Sequence, residues 1–181
     1  MNSLKNTDSE NHTATDKNLV AACGLYCGSC GIYLATQEND TEKLLQYAIV
    51  LNQSCVETLC DGCKADRKSA HCDRKCLFVT CTQNKGREFC GTCEEYPCND
   101  LTAFQSKMPH RIEISESQNR LKEIGWEQWL IEMKQKYSCP QCNTANSAYD
   151  IACRKCGFTP GCRFVDLHKD LIDKHMSKDQ F

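Results

Sequence analysis

The sequence predicts a small, irregular α+β fold stapled by metal, with short helices around cysteine knuckles and a C-terminal zinc-ribbon hairpin. Three observations predict it. Cysteine occurs 17 times in 181 residues. The thiols recur as C-x2-C pairs, the spacing at which two sulfurs reach one ion. Between them, helical periodicity appears only in short stretches, and the aliphatic and aromatic core formers are thin, so burial alone cannot hold the chain.

Disulfides and metal are the two candidate staples. Residues 1–22, "MNSLKNTDSENHTATDKNLVAA", are polar and lack an apolar h-region, so nothing resembles a secretory signal. No stretch approaches the apolar length of a membrane span. The expected compartment is therefore the cytoplasm, where lasting disulfides are uncommon, and metal is the expected staple. Net charge is −2 with neutral thiols. Each tetrathiolate zinc site would add about −2 more, because bound thiols are deprotonated. An acidic holo protein argues against wholesale nucleic-acid binding.

Residues 1–17 read as a disordered leader rich in Asn, Ser, Thr and Asp. A cysteine-rich, metal-binding domain with helices follows over 18–136. Its first helical stretch, "DTEKLLQYAIVLNQ" (40–53), has Asp40 or Thr41 as cap and Leu44, Leu45, Ala48, Ile49 and Leu51 near one face. "PCNDLTAFQSKMP" (97–109) reads as a shorter helix capped by Asn99 or Asp100 and stopped by Pro109. Residues 115–137 are helical on both sides of Gly125, which breaks or kinks them. A zinc ribbon is expected over 137–160, and a short amphipathic helix or tail over 161–181.

The ribbon carries the clearest motif, "CPQCNTANSAYDIACRKCGF". Cys139 and Cys142 form one C-x2-C pair, and Cys153 and Cys156 the second, with a hairpin's worth of residues between. Gly157 suits the tight turn in which backbone N–H groups approach sulfur. Arg154 and Lys155 read as solvated knuckle residues rather than a readout surface.

The larger block holds three more C-x2-C pairs: Cys27/Cys30, Cys60/Cys63 and Cys90/Cys93. Cys72, Cys76, Cys81 and Cys98 are the expected completing ligands, and the sequence leaves open which joins which pair. Cys55 and Cys162 are the weakest ligand candidates. Lys64, Arg67, Lys68, Arg74, Lys75, Lys85 and Arg87 intersperse these thiols, where they offset thiolate charge and donate hydrogen bonds. Asp61, Asp66, Asp73, Glu88, Glu94 and Glu95 nearly cancel them.

Iron–sulfur is the alternative to zinc. Cys23, Cys27 and Cys30 are spaced C-x3-C-x2-C, as in radical S-adenosylmethionine enzymes, where such a trio holds a [4Fe–4S] cluster. That chemistry needs a barrel of roughly 200 residues or more, and no βαβ alternation follows Cys30. The bacterial ferredoxin run is also absent, since Pro97 precedes Cys98. Of five histidines, only His71, beside Cys72, sits where a ligand would be. Trp126, Trp129 and Tyr137 have the spacing of core packing. No motif nominates a catalytic residue other than a cysteine.

"CGLYCGSC", "CDGC", "KGREFCGTCEEYPC", "LKEIGWEQWL" and a trailing C-x2-C follow one another in this order. From about Val20 to Lys136 the chain resembles the cysteine-rich bacterial and archaeal family called domain of unknown function 3795, to which zinc binding is ascribed. The resemblance implies a small cytosolic metal-binding domain with no assigned reaction. By matching position, Cys23, Cys27, Cys30, Cys60, Cys63, Cys72, Cys76, Cys81, Cys90, Cys93 and Cys98 correspond to the family's thiols. Cys55, Cys162 and the tail after Pro160 lie outside the pattern. The expected function is a zinc protein with mainly structural sites, several Zn2+ ions and a protein partner, with an enzymatic role left open and not favoured. An iron–sulfur redox or transfer enzyme and a nucleic-acid-binding ribbon are the alternatives.

Overall fold

A computed structural model describes residues 16–177. Of the leader expected over 1–17, residues 1–15 lie outside the described residues. Asp16 and Lys17 are tied to the body through Lys134 and Glu88.

The described chain is mostly helical. A 3-10 turn, Cys27–Ser29, leads into α1 (Gly31–Gln37), then α2 (Thr41–Leu51), α3 (Cys55–Thr58), α4 (Ala70–Lys75) and α5 (Leu77–Asn84). A second 3-10 turn, Cys90–Thr92, precedes α6 (Asn99–Gln105), and a third, Pro109–Arg111, precedes α7 (Ile114–Lys136). α8 (Arg163–Met176) ends the described chain. No helix among them is long and apolar enough to cross a membrane.

The local reasons are visible at the helix ends. The Asp40 carboxylate caps α2 by accepting from the Lys43 N–H at 3.0 Å. Ser54 and Glu57 form a reciprocal capping box that lets the four-residue α3 exist. α6 has Cys98 rather than Asn99 or Asp100 at its N-cap and ends at Gln105, before Pro109. Gly125 takes φ 77° and ψ 166°, which divides α7 into two helical halves, as its sequence predicts.

Two expectations are corrected. The single apolar face on α2 does not form: Leu44 and Ala48 are buried, while Leu45 and Ile49 are 50% and 71% exposed. Only the stripe facing α1 and α3 is covered, and positions 45 and 49 sit one residue around the helix from it. The β component is also nearly absent. Among the described residues the ribbon's hairpin reduces to one antiparallel bridge, Ser138 to Ala145. The backbone there is spent on thiol turns, and a buried side chain replaces the ladder: Asn146 donates to the carbonyls of Thr144 and Gly161 and accepts from the Arg154 N–H.

Among the described residues three small apolar clusters make the core. Ala21, Ala22, Phe78, Leu101 and Ile114 pack around Cys23 and Cys90. Leu19, Val20, Phe89, Leu121 and Leu130 surround a fully buried Trp129. Tyr137, Ala148, Phe164, Val165 and Ile172 join α8 to the knuckle segment, with Tyr26 touching this group and the Trp129 group. Polar ties cross the same boundary. Glu113 pairs with His168 of α8, and Arg154 forms a two-pronged pair with Glu38.

Gln118 is the polar pin of the first core. Fully buried on α7, it donates to the Ala22 carbonyl and accepts from the Gly91 N–H, both at 2.8 Å. The Cys90 N–H also reaches the Ala22 carbonyl, at 2.9 Å. One side chain therefore locks the loop carrying Cys23 to the turn carrying Cys90 and Cys93.

Candidate metal centre

Two loops of matching shape build the C-terminal site. In the first, the Cys139 N–H bonds the Thr144 carbonyl and the Asn143 N–H returns to the Cys139 carbonyl. In the second, Cys153 bonds Phe158 and Gly157 returns to Cys153, the same two bonds fourteen residues on. The residue after each second cysteine is left-handed, Asn143 at φ 58° and Gly157 at φ 73°. Asparagine and glycine are the residues that adopt this conformation readily.

These turns aim four sulfurs at one point. The ligand atoms of Cys139, Cys142, Cys153 and Cys156 all lie within 4.8 Å of one another. Cys139 Sγ is 3.7 Å from Cys156 Sγ, and Cys142 Sγ is 3.6 Å from Cys153 Sγ. Sulfurs held about 2.3 Å from a tetrahedral ion sit about 3.8 Å apart. The set is thus sized for one ion, and no vacant position would remain.

The surroundings favour the thiolate at Cys142 and Cys153 and oppose it at Cys156, which burial and the neighbouring thiols push up to about 12. The Gln141 N–H donates to Cys139 Sγ at 3.4 Å. Burial resists ionisation of Cys153, yet N–H groups of Cys156 and Lys155 and the neighbouring thiols outweigh it, holding the group down to about 6. Arg154, read in the sequence as solvated, instead binds the Ala145 carbonyl and Glu38, pinning the second loop to α1's end.

The remaining thiols gather without closing. Among the described residues no other three Cys, His, Asp or Glu side chains bring their ligand atoms within 4.8 Å. Cys27 and Cys63 hydrogen-bond each other, with Cys30 and Cys60 in electrostatic reach, so these two C-x2-C pairs share a neighbourhood. Cys72 lies close enough to feel Cys30, Cys60, Cys63 and Cys76, and burial first, then these neighbours, pushes it up to about 12. Cys23 is buried among Cys63, Cys76 and Cys90, in a core cluster against which Cys27 also packs, and the C-x3-C-x2-C trio does not close into a ligand group among the described residues. Cys81, Cys90, Cys93 and Cys98 line one cavity.

His71 joins no ligand group among the described residues. Cys55 is exposed, whereas Cys162 is buried and directs its thiol to the Ser147 carbonyl at 3.9 Å. The basic residues between the thiols are largely paired: Lys64 with Glu88, Arg67 with Asp61, Arg74 with Glu57, Lys85 with Glu95 and Arg87 with Glu94.

Residues 19–103 match the family described as protein of unknown function (DUF3795). The DUF3795 segment contains twelve thiols, Cys23 to Cys98, and ends before α7. "LKEIGWEQWL" and the closed four-thiol site both lie beyond it. No curated protein and no solved structure matches the chain.

Proposed function

We propose that this is a cytoplasmic, metal-organised scaffold protein whose C-terminal site binds zinc structurally and whose surface docks a protein partner. The observation that carries the reading is the 3.6–3.7 Å spacing of opposed sulfurs in the Cys139, Cys142, Cys153 and Cys156 set. Four protein ligands close a tetrahedral zinc ion, and a closed site contributes folding energy rather than catalysis. No residue is assigned a catalytic role.

A protein partner is favoured over nucleic acid by charge and by exposed apolar surface. The basic residues among the thiols are engaged by carboxylates, and bound thiolates add negative charge. Ile49, Val50 and Val56 on α2 and α3 stand 71–80% exposed, an apolar strip that a partner's apolar segment would cover. A nucleic-acid role would instead show affinity falling steeply with salt.

The deciding experiment is metal content of the full chain purified without chelator. The reading expects zinc at the C-terminal site, lost when Cys139→Ser and Cys142→Ser are combined and retained in Cys55→Ser. Equal zinc content in the wild type and the double variant would refute it.

A further inference from the structure

The geometry points to an iron–sulfur cluster bound by Cys81, Cys90, Cys93 and Cys98, in the cavity these four thiols line. This rests on the reading that the cysteine-rich block is organised by metal, and it names the cofactor class there.

Spacing is the first argument. The same molecule contains a four-thiol set closed to single-ion distances, and the cavity set is not closed that way. Terminal sulfurs around a cubane cluster stand about 6 Å apart, because each binds a different iron. A set spread around a space is what a cluster requires.

Volume is the second. The cavity measures about 80 Å3. A water needs roughly 10–15 Å3 on this measure, so the space takes several atoms. A lone zinc ion between touching sulfurs would leave most of it empty.

The thiols are presented by separate elements rather than by one pair of matched knuckle turns, which disfavours collapse onto one ion. Cys81 lies on α5, Cys90 opens the 3-10 turn and Cys93 is its C-cap, and Cys98 is the N-cap of α6. Gln118 fixes that turn from behind through the Gly91 N–H. Phe78 and Leu101, both buried, form the apolar wall, and Lys85 Nζ stands 3.8 Å from Cys93 Sγ. Apolar cover and a cationic donor to sulfur are features that hold and tune such clusters. An open depression lined by Arg74, Lys75 and Thr80 shares Cys81 and Lys85 with the cavity, so one edge of the cluster faces solvent.

The test is anaerobic reconstitution of the full chain with ferric and ferrous iron, sulfide and zinc together, followed by iron, acid-labile sulfide and zinc counts. The expected wild type is coloured and holds about four irons and four sulfides in this cavity, beside the C-terminal zinc. Cys81→Ser with Cys98→Ser should remove that iron and sulfide and keep the C-terminal zinc, which reports that the chain still folds. Cys55→Ser, outside the cavity, should change nothing. Should the double variant fail to fold, wild-type stoichiometry still decides. Zinc without sulfide in the cysteine-rich block overturns the cluster and leaves the metal-organised reading standing. A block without any metal removes both, and a double variant with undiminished iron places the cluster elsewhere.

Discussion

At the residue scale, Gln118 and His110 do work that no motif announces. Gln118 satisfies the Gly91 N–H and the Ala22 carbonyl in a dry core. Gln118→Leu keeps the volume and orphans the Gly91 N–H, a group worth about 1–3 kcal/mol when buried, while the Ala22 carbonyl keeps the Cys90 N–H. The expected loss is about 1–3 kcal/mol, read from urea denaturation, and no measurable change would show that the pin is dispensable. His110 accepts from the Arg111 Nε–H, so its Nδ1–H donates to the Tyr149 hydroxyl at 2.7 Å. Burial, then the Arg111 and His175 charges, pushes His110 down to about 4. The folded protein therefore keeps it neutral, whereas the unfolded chain protonates below about 6.5. Its contribution is intact above that pH and is lost as pH falls from 6.5 toward 4, by no more than about 3 kcal/mol. His110→Gln should flatten the pH dependence of the urea midpoint across that window. An unchanged slope would mean that His110 does not titrate differently on folding.

At the element scale, what was legible followed from periodicity and caps. α2 was readable from its apolar spacing and Asp40, and α7 from its length and Gly125. α1, α3, α4 and α5 were not, because four to eight residues among cysteines carry too little period to read. The knuckle turns were half legible: Gly157 signalled one, while Asn143, in the same place after Cys142, was the missed partner. The hairpin was expected from ribbon spacing, and Asn146 took the ladder's place. Gln118 carried no chemical signal in the sequence. Its helical register with Ile114 and Leu121 was the only clue to its burial. Gly125 lies in a region of backbone space that is essentially glycine's alone. Gly125→Ala should cost about 1–3 kcal/mol while leaving metal content unchanged. A neutral thermal shift would mean that the two halves of α7 can join into one straight helix.

At the scale of the whole molecule, three small clusters share the burial and no single core dominates. A structural zinc ion supplies about 10–16 kcal/mol, as much as the net stability of an entire domain at about 5–15 kcal/mol. Under the proposed function, metal is the organising energy and the short helices are arranged by it. The C-terminal part is bound to the rest by Glu38–Arg154, by Glu113 with His168, and by the Tyr26 contacts. Loss of the C-terminal ion should therefore loosen α8 as well as the knuckles.

Backbone amide exchange of the full chain, under reduction and with and without a strong chelator, tests this most directly. Chelation should collapse protection across Cys139–Cys156 and α8, and across the cysteine-rich block, with recovery when metal is returned. Protection that survives complete removal of metal would mean that side-chain packing alone sets the fold, contrary to everything proposed for these thiols.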